Sequence, residues 1–342
     1  MGEHTAQELA ELQKLPLEKK IQITQARILE FCEKERPYIS YSGGKDSSVL
    51  LDIARKMANA GIIKEIPLVY VNAYYVLPGE REWVRQAGDV RVIKSSITPK
   101  KVIEKYGYPV ISKQVSHDIY GARHAKTAKA RENYILGYQG EKHTFRGLKN
   151  YEKLLDAPFK ISDQCCFCLK KKAAEAFEKE TGLRRMVATT CEESLLRRMV
   201  WLRSGCNSFG EKASSRPLSI WKEQDILAYI KRYNVPLWER YGQIVEKGGK
   251  LTCTGIKRTG CSFCLFGAHK ADDDRLIYLA KEDPKMYEFC MQRLGFANVI
   301  DWLQSNLGLR YNLPKPIIKP TITQKEPEKA PLPRWLLKLP TF

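Results

Sequence analysis

The sequence predicts an α/β protein with a doubly wound, mainly parallel sheet and a helical, cysteine-rich region toward its C-terminal end. Three observations carry that reading. Strand-like and helix-like segments alternate from residue 37 to 95; a glycine-rich turn, Ser42-Gly43-Gly44-Lys45-Asp46-Ser47, lies between an apolar strand and a helix; and the pattern changes near residue 242 to a Gly/Cys-rich stretch. Alternating strands and helices imply βαβ units, because parallel neighbours need a crossover that a helix supplies.

Taken in order, ELAELQKL and LEKKIQITQARILEFCEK place apolar residues three and four apart and stop before Pro37, which predicts an N-terminal helical segment over 1–36. YISYS reads as a strand, residues 46 to 59 as a helix, IPLVYVNA as a strand, the stretch after Pro78 as a helix, and DVRVIKS as a strand. Residues 112 to 182 read as mainly helical. RRMVATT reads as a further strand, a helix starts near Glu192, and another runs from Lys222 to before Pro236. These elements predict a nucleotide-binding α/β domain over 37–240, a Cys-rich knuckle and helical region over 241–310, and a Pro/Lys-rich arm over 311–342.

The chain has 342 residues, 43% hydrophobic, which is enough for a substantial core. No apolar run approaches the roughly 20 residues that span a bilayer, and the polar N-terminus lacks a signal-peptide core, so a cytoplasmic protein without membrane contact is expected. A net charge of +19 implies a field that attracts phosphates, whether in a nucleotide pocket or on a nucleic-acid platform. Ten cysteines without an export signal point to metal or redox chemistry rather than a disulfide framework.

A Gly-rich turn from strand to helix leaves backbone amides facing an anion at the positive end of the helix. Gly43 and Gly44 permit close approach of phosphate, Ser42 and Ser47 offer hydroxyls, and Lys45 adds a point charge. The loop is not the GxxxxGK[ST] Walker pattern. A lone Gly-Gly is commonly only a turn, but six specified residues in this setting favour a phosphate cradle. Four more cysteines have metal-ligand spacing: Cys165 and Cys166 in CCFC, and Cys261 and Cys264 in CSFC. Thiolates on two turns select zinc or iron–sulfur over hard cations. Cys168 forms an alternative pair with Cys165.

SGGKDS resembles the PP-loop of the ATP-pyrophosphatase superfamily, and KYGYPVISKQVS, FKISDQCC, CEESLLR, GCNSF, SRPLSIWKEQDILAYI and RTGCSFCLFG resemble, in order, the phosphoadenosine phosphosulfate (PAPS) reductase family, with coverage from about Leu17 to Leu307. The resemblance implies an adenine nucleotide alpha hydrolase-like fold, a [4Fe–4S] cluster on Cys165, Cys166, Cys261 and Cys264, and catalytic roles for Lys45 and Asp46. It implies nucleotide contacts from Ser42, Gly43, Gly44, Lys45, Asp46, Ser47, Asn72, Glu193 and Arg197. Glu193 and Arg197, three to four residues apart on a helix, read equally well as an ordinary ion pair. Arg216 and the run Lys170-Lys171-Lys172 are further candidates for phosphate contact, although basic runs are more often only solvated; Lys257 and Arg258 are placed to bring positive charge to the cluster, and His117 to reach into the site.

Two departures bear on activity. Where relatives carry N/D-T-G-x-E-x-P-E, this chain has Asn72-Ala73-Tyr74-Tyr75-Val76-Leu77-Pro78-Gly79-Glu80, and it has no cysteine after Cys290 while keeping the whole SGGKDS. The combination implies ATP with Mg²⁺, adenylation with release of pyrophosphate, and sulfur transfer to an acceptor such as tRNA or DNA, with a sulfur or electron donor protein and a homodimer as expected partners. Sulfonucleotide (PAPS or APS) reduction to sulfite and non-catalytic nucleotide binding are the alternatives.

Overall fold

The computed structural model describes residues 4–139, 142–143, 147–271 and 273–314. The Pro/Lys-rich arm expected over 311–342 lies outside these from residue 315 onward. Six strands form the main sheet: Pro37–Ser40 (β1), Leu68–Asn72 (β2), Val90–Lys94 (β3), Arg184–Met186 (β4), Asn207–Ser208 (β5) and Ser214–Ser215 (β6), in the spatial order β3-β2-β1-β4-β6-β5. β1 is central. It pairs in parallel with β2 through Ile39 and Leu68 and with β4 through Ile39 and Met186; only β5 and β6 run antiparallel. This is the mainly parallel α/β architecture that the strand–helix alternation predicts.

Tyr38 and Ile39 are both buried because helices cover both faces of the central strand. From β1 the chain proceeds to β2 and β3 on one side and returns to β4 on the other. The carboxyl ends of β1 and β4 therefore border the crevice where α/β sheets bind ligands.

Helices Ala6–Leu12, Leu17–Lys34 and Lys45–Asn59 match the predicted periodicity closely, the first closed by a capping box from Thr5 and Glu8. The stretch expected to be helical over 112 to 182 is more broken. Helix Lys113–His124 ends at Ala125 and helix Ala128–Leu136 at Gly137 (φ +77°), a 3₁₀ turn covers Glu152–Asp156, and a π-turn at Phe167–Lys171 leads into helix Lys172–Thr181.

Two main cores result. One joins the N-terminal helices to the sheet through Ile28, Phe31, Ile39, Leu50, Met186 and Trp221. The other joins Val102, Ile119 and Leu169 to Phe263, Leu279 and Phe296, so the middle of the chain and its C-terminal helices share one apolar interior. Among the described residues no helix is long and apolar enough to cross a membrane.

Candidate nucleotide site and cysteine cavity

β1 runs out at Ser40, and after four intervening residues helix Lys45–Asn59 begins, with Gly44 as its N-cap. Gly43 has φ +71°, and a Cβ there would stand 2.9 Å from Trp83 and Val84; a Cβ on Gly44 would stand 2.8 Å from Thr259 Oγ1. Gly43 therefore requires glycine, whereas Gly44, with φ −81°, is restricted by the end of the Thr259 side chain. The Trp83 indole donates to the Gly43 carbonyl at 3.0 Å, the Ser47 hydroxyl donates to the Gly44 carbonyl at 2.8 Å, and Ser42 and Ser47 hydroxyls lie 3.2 Å apart. The loop is thus held from outside and within, with the helix amides at its mouth.

Lys45 does not extend into solvent. Its amine donates to the Lys257 carbonyl at 2.8 Å and pairs with Glu223 at 3.1 Å, while its backbone amide donates to the Tyr241 hydroxyl at 3.4 Å. Burial opposes the lysine charge, but Asp46, Glu223 and Tyr241 outweigh it and raise the pKa above the ordinary lysine value. Burial pushes the Asp46 carboxyl above the usual carboxylate range, with Lys45 pulling the other way. Glu223, Tyr241 and Thr259 were invisible to sequence reasoning as site residues, because they come from a helix start and loops remote in the chain, whereas Lys257, singled out for its charge, meets the loop lysine through its backbone carbonyl.

Asn72 closes β2, where its side-chain Oδ1 accepts from the Tyr74 amide at 2.9 Å, an Asx turn that holds Tyr74 at φ +71°. Its side chain is engaged by the altered segment itself. Glu80, at the far end of that segment, accepts from Tyr70 at 2.9 Å; burial pushes its carboxyl up to about 7, opposed by the Tyr70 hydrogen bond and a backbone contact from Gly260. Glu193 and Arg197 form an ion pair within one helical turn, and the Thr190 amide donates to Glu193 at 3.3 Å. Arg197 also lies within electrostatic reach of Asp46, so the pair borders the loop.

Cys165, Cys166, Cys261 and Cys264 line one cavity, together with Pro109, Leu169, Lys170, Phe263 and Phe266. Cys168 is absent from that lining; burial raises its thiol, with Lys172 and Lys105 pulling the other way. Burial raises the Cys165 and Cys261 thiols and pushes Cys264 up to about 12, so thiolates here need a cation to carry their charge. Lys170 separates from its basic run: Lys171 and Lys172 are exposed, whereas Lys170 faces the cavity, its charge held chiefly by Cys261. Among the described residues, no three His, Cys, Asp or Glu side chains converge closely enough to hold a single metal ion.

The remaining candidates are placed elsewhere or spent otherwise. His117 lies 3.6 Å from Asp163, whose hydrogen bond raises its pKa. Arg216 is buried near Arg185, Cys206 and Cys191. Lys257 donates to Thr252 at 2.8 Å and Arg258 pairs with Asp273 at 2.9 Å, so both brace the knuckle.

The knuckle meets both the loop and the Asn72–Glu80 segment: the Lys257 carbonyl and Thr259 lie against Lys45 and Gly44, Gly260 against Glu80, and the Ser262 amide donates to the Tyr75 carbonyl at 3.0 Å. No curated protein matches the sequence. The crystal structure of phosphoadenylyl-sulfate (PAPS) reductase from Candida auris, a phosphate complex, aligns over 72% of this chain and 97% of its own at 14% identity, with a TM-score of 0.36. Residues 36–264, more than half of the chain, match the model of the phosphoadenosine phosphosulfate reductase domain, and the chain belongs to that family, as an enzyme of the PP-loop type.

Proposed function

We propose that this enzyme binds ATP with Mg²⁺ at the Ser42–Ser47 loop, adenylates an acceptor with release of pyrophosphate, and directs sulfur to the activated position. The observation that carries the reading is the complete SGGKDS loop stitched to a loop that contributes to a four-cysteine cavity. The donor set fits a [4Fe–4S] cluster: each iron takes one thiolate, so thiols arranged around a cavity suit it, whereas one zinc needs all its sulfurs at about 2.3 Å from a single point. Cys165, Cys166, Cys261 and Cys264 would hold it, and when bound it would supply electrons or sulfide.

The chain's own residues do the rest. Loop amides and the N-terminus of helix Lys45–Asn59 bind the leaving phosphates, and Lys45 neutralises charge that develops as the acceptor oxygen bonds to the α-phosphorus and the bond to pyrophosphate breaks. A sulfur nucleophile then displaces AMP from the acceptor, the phosphate oxygen leaving with the electron pair. Asp46 faces the cation that accompanies the phosphates. The +19 charge supports a nucleic-acid acceptor such as tRNA or DNA.

The family match favours one second reading, reduction of PAPS or APS to sulfite. Anaerobic incubation separates the two: pyrophosphate from ATP that requires an acceptor supports the first, and sulfite from PAPS with a thiol donor establishes the second.

A further inference from the structure

Resting on the reading that the nucleotide is ATP, we infer that Glu223 makes this site selective for nucleotides that carry a divalent cation and disfavours bare anions. Glu223 opens helix Glu223–Tyr233, and its carboxylate lies 3.1 Å from the Lys45 amine while its side chain remains half exposed. Its backbone amide is fixed in turn by the Glu192 carboxylate at 2.7 Å. Asp46 feels both Lys45 and Glu223, so two carboxylates act on the loop lysine, Glu223 by direct contact.

A metal-free polyphosphate that reaches Lys45 meets Glu223 within the same few ångströms. It must compete with that carboxylate for the amine and then leave it facing phosphate oxygens, a like-charge juxtaposition. With Mg²⁺ on the phosphates the sign inverts. Mg²⁺ keeps several waters and binds through one or two carboxylates plus substrate phosphates, a role that Asp46 and the partly solvated Glu223 fit. A sulfonucleotide without a bound cation meets the same repulsion. Glu223 is in this sense a specificity residue, acting on which charge state of ligand the loop accepts.

The test is calorimetric titration of the full chain with ATP in MgCl₂ and in EDTA, for the native protein and for Glu223→Gln, with far-UV circular dichroism to confirm that both are folded. The native protein should bind ATP at least about tenfold more weakly in EDTA. Glu223→Gln should tighten metal-free binding and shrink the Mg²⁺ dependence by at least about fivefold. An unchanged Mg²⁺ ratio in the variant overturns the role of Glu223 while leaving the ATP reading intact. Absence of ATP binding in both buffers overturns the ATP reading itself, and this inference with it.

Discussion

At the scale of residues, the loop glycines are constrained sterically whatever the loop binds: Gly43 by its positive φ and both by the side chains packed on them. Gly44→Ala places a methyl 2.8 Å from Thr259 Oγ1, so the variant should lose about 1–2 kcal/mol of stability together with nucleotide affinity. The obstacle is the end of a side chain, and Thr259→Ala in the same chain should restore both; urea unfolding with and without nucleotide checks it, and no rescue would mean that the loop itself rejects the methyl. The glycines, serines and lysine of SGGKDS were legible in the sequence because a six-residue pattern in a strand–turn–helix setting specifies its own local structure. Glu223, Tyr241 and Thr259 were not, since their approach to the loop depends on how remote elements pack. Asn72 was legible as the end of a strand, but its side chain serves the turn at Tyr74, a consequence of the altered segment that follows.

At the scale of elements, amphipathic helices and apolar strands were legible in order and nearly in extent, because each buries one periodic face. The region from 112 to 182 was not, since its shape follows from side-chain clamps. Arg123 donates to the carbonyls of Leu154, Leu155, Ala157 and Phe159, at 2.6 to 3.1 Å, and fixes the turn that feeds Cys165 and Cys166 into the cavity. Arg123→Met should cost about 2 kcal/mol by leaving partly buried carbonyls unpaired, read as a fall in the urea midpoint. It should also loosen metal retention, whereas an unchanged midpoint would show that water replaces the clamp. Around the π-turn at Phe167–Lys171, Lys170 lines the cavity with Cys165 and Cys166 while Cys168 does not, a placement that CCFC spacing alone left open.

At the scale of the whole molecule, the nucleotide loop belongs to one core and the cysteine cavity to the other, and residues 257–262 join them. Iron bound by Cys165, Cys166, Cys261 and Cys264 would therefore fasten the two cores as well as serve chemistry, since metal affinity adds to folding stability. Cys261→Ser should lose iron, visible absorbance and thermal stability together. Loss of zinc without colour in the native protein would contradict the cluster. The family itself was legible because its motifs fall in sequence order along the chain; the stitching of loop to knuckle was not, because it is made by backbone groups that any sequence carries.

On the function proposed above, the intact loop splits ATP. The direct measurement is pyrophosphate released from ATP by the anaerobically purified chain with Mg²⁺, in the presence of candidate tRNA or DNA acceptors, with Lys45→Ala beside it. Acceptor-dependent release that falls at least about 100-fold in Lys45→Ala is the predicted result. Sulfite formation from PAPS with no pyrophosphate from ATP under any acceptor would contradict it.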